Sequence, residues 1–132
     1  METNYKDSEN KKKILLVEDD NALADVYLNR LTSEGFDVRR VDNGENALAA
    51  AVEFHPDLIV LDVMMPKISG FDVLDILKNT PTTAQIKVMM LTALGQDSDQ
   101  KKANDLGADD YLVKSQIATN EVIKRIERLV ID

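Results

Sequence analysis

The sequence predicts a doubly wound α/β fold, a five-stranded parallel sheet with five flanking helices. Three observations carry this. Short apolar runs alternate strictly with stretches of helical spacing. The runs lack polar alternation, as strands buried on both faces do. Several of them stop abruptly on a charged or hydroxyl residue. Strict alternation of strand and helix implies right-handed crossovers, with helices on both faces of the sheet.

The elements follow in order. From Lys12, the run Ile14-Leu15-Leu16-Val17 ends at Glu18-Asp19-Asp20. Leu23, Val26, Tyr27 and Leu31 then share a helical face, with Asp20 or Asn21 as N-cap and Gly35 as stop. Phe36 to Val41 reads as a second strand, closed by Asp42. The second helix spans 45–54, with Ala47, Leu48, Ala51 and Val52 on one face, and Pro56 ends it. Leu58-Ile59-Val60-Leu61 is the most apolar strand and stops at Asp62. Phe71, Leu74 and Leu77 mark the third helix, which Thr80-Pro81 breaks. Ile86 to Leu91 is the fourth strand, followed by Thr92. A weakly apolar helix spans 97–106 and stops at Gly107. Tyr111-Leu112-Val113 is the fifth strand, closed by Lys114, and the last helix carries Val122, Ile123, Ile126, Leu129 and Val130.

The chain has 132 residues, one domain's worth, and Lys plus Arg against Asp plus Glu give 16 − 24 = −8. Residues 1–11 read as a disordered polar tail and 12–132 as the folded domain. The acidic balance argues against direct contact with nucleic acid, which demands clustered Lys and Arg. Cysteine is absent and His55 is the single histidine, which excludes disulfides, thiolate sites and poly-His zinc sites. With no long apolar run and no secretory leader, the expectation is a cytoplasmic protein without a membrane partner.

Open α/β sheets bind ligands at the carboxyl ends of their strands. Here those ends deliver Glu18, Asp19, Asp62, Thr92 and Lys114. Converging carboxylates repel, and a divalent cation compensates; all-oxygen ligation selects Mg2+ or Mn2+ over zinc. The turn after the first strand is not a glycine-rich phosphate loop. Phosphate could still be met by a metal, an ammonium and a hydroxyl, with a carboxylate as nucleophile.

Val17-Glu18-Asp19-Asp20, Asp62 through Pro66 with Gly70, Leu91-Thr92-Ala93 and Tyr111 through Lys114 resemble the receiver domain of two-component response regulators. The resemblance covers roughly residues 12–131. It implies a CheY-like, flavodoxin-like sheet of order 2-1-3-4-5. It implies that Asp62 accepts a phosphoryl group from a histidine kinase or phosphotransfer protein. Mg2+ would be held by Glu18, Asp19, Asp62 and the Met64 carbonyl. Thr92 and Lys114 would contact the phosphoryl oxygens. Thr92 and Tyr111 would switch the surface formed by the fourth helix, fifth strand and fifth helix, toward a protein effector or a second copy. The domain would promote only its own phosphorylation and dephosphorylation, and so would not be an enzyme.

Two other readings are a phosphorylation-independent pseudo-receiver and a Mg2+-dependent phosphatase with an aspartyl nucleophile. The intact set of five site residues argues against the first. Met64, standing where the second acid of such phosphatases belongs, argues against the second. Met64 and Leu94 are each two residues past a site residue and poor partners for water, so slow self-dephosphorylation is expected. The family usually has Pro after the lysine; here it is Ser115, so the bond is either trans or a cis bond held against strain. Asp20 is read as an N-cap rather than a metal ligand, and His55 as a surface or C-capping residue. The four methionines Met64, Met65, Met89 and Met90 are assigned to packing, and Lys11-Lys12-Lys13 to a solvated strand entry. The alternating charges Glu121, Lys124, Arg125, Glu127 and Arg128 are assigned to a solvated face. The chain ends just after the fifth helix, which as a full-length protein would leave output to a protein partner and as an excised fragment would leave out an effector domain.

Overall fold

The structure is a computed structural model that describes residues 11–131. The expected tail therefore lies, Lys11 apart, outside the described residues, as does Asp132. Five strands, β1 (Lys13–Val17), β2 (Asp37–Val41), β3 (Leu58–Leu61), β4 (Lys87–Thr92) and β5 (Asp110–Val113), form one sheet. The order is β2-β1-β3-β4-β5 and every pairing is parallel. Five helices alternate with them: α1 (Asn21–Ser33), α2 (Gly44–Phe54), α3 (Gly70–Lys78), α4 (Asp97–Asp105) and α5 (Thr119–Ile131).

The two faces of the sheet follow from the two-residue period of a strand. Leu15, Val17, Ile59, Leu61, Val88 and Met90 point to the layer of α2, α3 and α4. Ile14, Leu16, Leu58, Val60, Met89 and Leu91 point to α1 and α5. This double burial is why β1, β3 and β4 read as unbroken apolar runs. β2 is the sheet edge, and none of its residues is fully buried. Phe36, expected to open it, lies just ahead of the strand and is buried.

Helix ends are held as the capping residues suggest. Asp20 caps α1, its carboxylate accepting from the Leu23 amide at 3.1 Å. Asn43 and Ser69 cap α2 and α3 in the same way. His55 is the C-cap of α2 in the left-handed region (φ 52).

Several expectations are corrected. Val26 and Val52 are 45% and 48% exposed, because Ala24 and Ala50 take the inward positions of their helices. Met64 is 54% exposed rather than packed, whereas Met89 and Met90 are fully buried. Lys13 is not simply solvated: its ammonium donates to the Phe54 carbonyl at 3.3 Å and lies over the Phe54 ring. Arg125 is not on a free face either, since its guanidinium grips Asp110 by two hydrogen bonds of 3.0 and 2.7 Å. The peptide bonds among the described residues are trans, that of Lys114 and Ser115 included, and a short 3-10 turn (Lys114–Gln116) follows β5.

Truncation should separate the two kinds of apolar position. Ile126→Ala, at a site with no exposure, should lower the unfolding free energy in urea by about 2–5 kcal/mol. Val52→Ala should change it by less than about 0.5 kcal/mol.

Candidate functional site

The parallel register decides which side chains meet. Val17 pairs with Leu61, so Glu18 and Asp62, each one residue further, leave adjacent strands side by side. Thr92 pairs with Val113, so Lys114 emerges next to the end of β4. Glu18, Asp62 and Thr92 are buried, Asp19 is exposed and Lys114 is half-buried. The expected residues Glu18, Asp19, Asp62 and Lys114 thus come together at the carboxyl edge of the sheet.

Lys114 is the hub. Its Nζ donates to Glu18 Oε1 at 2.8 Å and to Asp62 Oδ2 at 2.7 Å. The remaining oxygens are held by main-chain amides: Met64 N donates to Asp62 Oδ1 at 3.0 Å, and Asp20 N to Glu18 Oε2 at 3.0 Å. Burial raises the Glu18 pKa, against the opposing pull of the Lys114 and Asp20 hydrogen bonds. Burial alone would lower the Lys114 pKa, but its hydrogen bonds to Asp62 and Glu18 outweigh that and raise it. Lys114 therefore stays cationic at neutral pH.

Glu18, Asp19 and Asp62 each offer an oxygen, all within 4.8 Å of one another. With all three ionised and Lys114 charged, the cluster carries −3 + 1 = −2. One divalent cation balances that charge, and the donor set is entirely oxygen, as hard cations require. Asp42 ends the edge strand β2 and is exposed, and the metal-competent cluster does not include it. Asp20 serves the helix cap instead.

Thr92 and Tyr111 meet through Leu94. The Thr92 hydroxyl accepts from the Leu94 amide at 3.4 Å, and the Tyr111 Oη donates to the Leu94 carbonyl at 2.8 Å. Burial, followed by the charges of Asp99 and Asp62, raises the Tyr111 pKa.

Two residues matter here beyond those singled out as chemical. The Arg40 guanidinium donates Nε and Nη2 to the Glu18 carbonyl at 2.9 and 2.6 Å. Its sequence signal is slight: the second of two arginines on a strand, pointing to the face opposite Arg39. Gly70, noted only as part of a motif, lies against the Asp62–Val63 peptide. A Cβ there would fall 2.1 Å from the Asp62 carbonyl oxygen and 2.7 Å from Val63 Cα.

The family model for the response regulator receiver domain matches residues 14–127. The chain is 42% identical over 118 residues to the DNA-binding dual master transcriptional regulator RpaA of Synechocystis sp.. That match covers 89% of this chain and 48% of RpaA, so the chain spans about half the length of that relative. A response regulator from Chloroflexus aurantiacus superposes with a TM-score of 0.85 at 30% identity, covering 92% of this chain and 99% of that one. The phosphorylated cyanobacterial phytochrome response regulator RcpA gives a TM-score of 0.80, also at 30% identity, covering 92% of this chain and 95% of that one. RpaA is by name DNA-binding, so the exclusion of nucleic acid drawn from net charge does not extend to the relatives. A charge count on a receiver says nothing about a segment elsewhere in a longer regulator.

Gly70→Ala should push the Asp62–Val63 main chain out of place. We expect a loss of about 1–3 kcal/mol in urea unfolding. Amide chemical shifts should move most at Asp62 and Val63.

Proposed function

The chain belongs to the response regulator receiver family, and on that footing we propose that it is a phosphoacceptor, taking a phosphoryl group onto Asp62 from the phosphohistidine of a histidine kinase or phosphotransfer protein. The observation that carries the reading is the double grip of Lys114 on Glu18 and Asp62 beside an all-oxygen cluster. Mg2+, or Mn2+ in its place, would be held by Glu18, Asp19, Asp62 and the Met64 carbonyl. Bound there, the ion supplies positive charge to the phosphoryl oxygens in the transition state.

This chain's residues do the rest. An Asp62 oxygen attacks phosphorus, the O–P bond forms, the P–N bond of the donor breaks, and its electron pair leaves with the imidazole. The Met64 amide and Lys114 hold the two Asp62 oxygens and so fix the carboxylate plane. Lys114 passes to a phosphoryl oxygen once the acyl phosphate has formed, and the Thr92 hydroxyl turns to another. Phosphorylation replaces the −1 of the carboxylate with roughly −1.5 to −2 on the phosphoryl group and brings three acceptor oxygens. Recruitment of Thr92 frees the Leu94 amide, whose carbonyl anchors Tyr111, and the rearrangement spreads to α4, β5 and α5. Only Ala103 of α4 is buried, so that helix can shift at little cost.

The output is a protein effector or a second copy meeting the α4-β5-α5 surface. A second reading, DNA-binding output through a further domain, is favoured by the half-length match to RpaA. Action is in the cytoplasm and not in the membrane; no helix among the described residues is long and apolar enough to cross one. The domain is not an enzyme in its own right, and its chemistry ends with its own Asp62.

Incubation with acetyl phosphate and Mg2+ should add one phosphoryl group to the intact mass. EDTA or Asp62→Asn should abolish the adduct. A folded protein that takes neither phosphate nor beryllofluoride would instead be a pseudo-receiver. Met64 is exposed next to Asp62 and brings no polar group to a hydrolytic water. Met64→Asn should therefore shorten the half-life of the adduct in a mass time course; an unchanged half-life would exclude this role.

A further inference from the structure

We infer that Arg40 is a positioning residue for the acidic cluster: it locks the Glu18–Asp19 peptide and thereby aims Asp19. Two guanidinium donors converge on one carbonyl oxygen, at 2.9 and 2.6 Å. Charge-assisted hydrogen bonds of this kind are roughly twice as strong as neutral ones. Arg40 forms no ion pair with a carboxylate among the described residues, so its charge is committed to this carbonyl.

The surroundings show why that carbonyl matters. Glu18 is held at every other polar group: its amide by the Val41 carbonyl, its two carboxylate oxygens by Lys114 and the Asp20 amide. Asp19 is different. Its carboxylate is exposed and takes no hydrogen bond from the described residues, yet it completes the cluster with Glu18 and Asp62. Only the main chain on either side aims it. On the Asp20 side that chain is fixed through Glu18 Oε2, and on the Glu18 side through Arg40. β2, the edge strand, thus reaches the end of its neighbour β1 and braces a site to which it contributes no ligand.

The reading of the cluster as a Mg2+ site comes from the proposed function, and the test separates the two ideas. A purely electrostatic Arg40 would repel a cation, so its removal would tighten Mg2+ binding. A positioning Arg40 predicts the opposite sign. Mg2+ affinity is measured by calorimetry on the wild-type protein, Arg40→Ala, Arg40→Gln and Arg40→Lys, with amide hydrogen exchange at Glu18 and Asp20, both hydrogen-bonded, in the metal-free proteins. Arg40→Ala should weaken binding about 10-fold, the lower end for residues that orient metal ligands. It should also speed exchange at both amides, and Arg40→Lys should restore most of each loss. Tighter or unchanged binding in Arg40→Ala, or unaltered exchange, would overturn the assignment. If Arg40→Ala does not fold, Arg40→Gln takes its place with the same expected signs. A wild-type protein that binds no Mg2+ would refute the metal reading, while the exchange data would still decide the role of Arg40.

Discussion

Two buried carboxylates on adjacent strands cannot both be charged unless something cationic stands between them, and here that is Lys114. Glu18 and Asp62 are 3% and 4% exposed, and each gives an oxygen to the same ammonium. Like charges this close would otherwise drive one of them to take up a proton. Burial, more than the charge of Asp62, raises the Glu18 pKa despite the lysine. The lysine can sit there only because β5 ends beside β4 and β4 beside β3, so the strand order and register are conditions of the electrostatics. The cluster keeps an excess of negative charge that the fold itself does not balance, which leaves it competent for a divalent cation.

The same arrangement separates rigid from yielding parts. β1, β3 and β4 are buried on both faces and hold Glu18, Asp62 and Thr92 in a frame that resists deformation. The segment after Thr92 is held differently. Leu94 is attached by a long hydrogen bond to the Thr92 hydroxyl and a short one to the Tyr111 phenol, and α4 beyond it buries one alanine. A change of charge at Asp62 therefore finds stiff walls on one side and a lightly held loop on the other.

Much of this was legible in the sequence because the physics is local. An apolar run buried on both faces looks the same wherever the strand lies, so β1, β3, β4 and the ends that carry Glu18, Asp62, Thr92 and Lys114 could be read directly. The strand order came from resemblance and not from the runs themselves. Val26 and Val52 misled because helical spacing allows neighbouring faces, and two alanines let the helices turn those valines outward. Met64 misled because composition carries no information about which side of a loop faces water.

Arg40 illustrates the remaining limit. An arginine on an edge strand is ordinary, and its meaning depends on which carbonyl lies within reach across the sheet. That depends on the β1–β2 register, in which Leu16 faces Arg40 and Val17 faces Val41. A shift of one residue would turn the Arg40 side chain to the other face, where Arg39 stacks on Phe54. The two consecutive arginines thus have separate tasks: Arg39 packs the α2 side of the edge, while Arg40 holds the turn that presents Glu18 and Asp19. No residue of the edge strand is fully buried, and these two contacts on opposite faces add to the partial packing of Val38 and Val41 in holding its register. The constraint that keeps β2 in line is therefore also one that keeps the acidic turn in place.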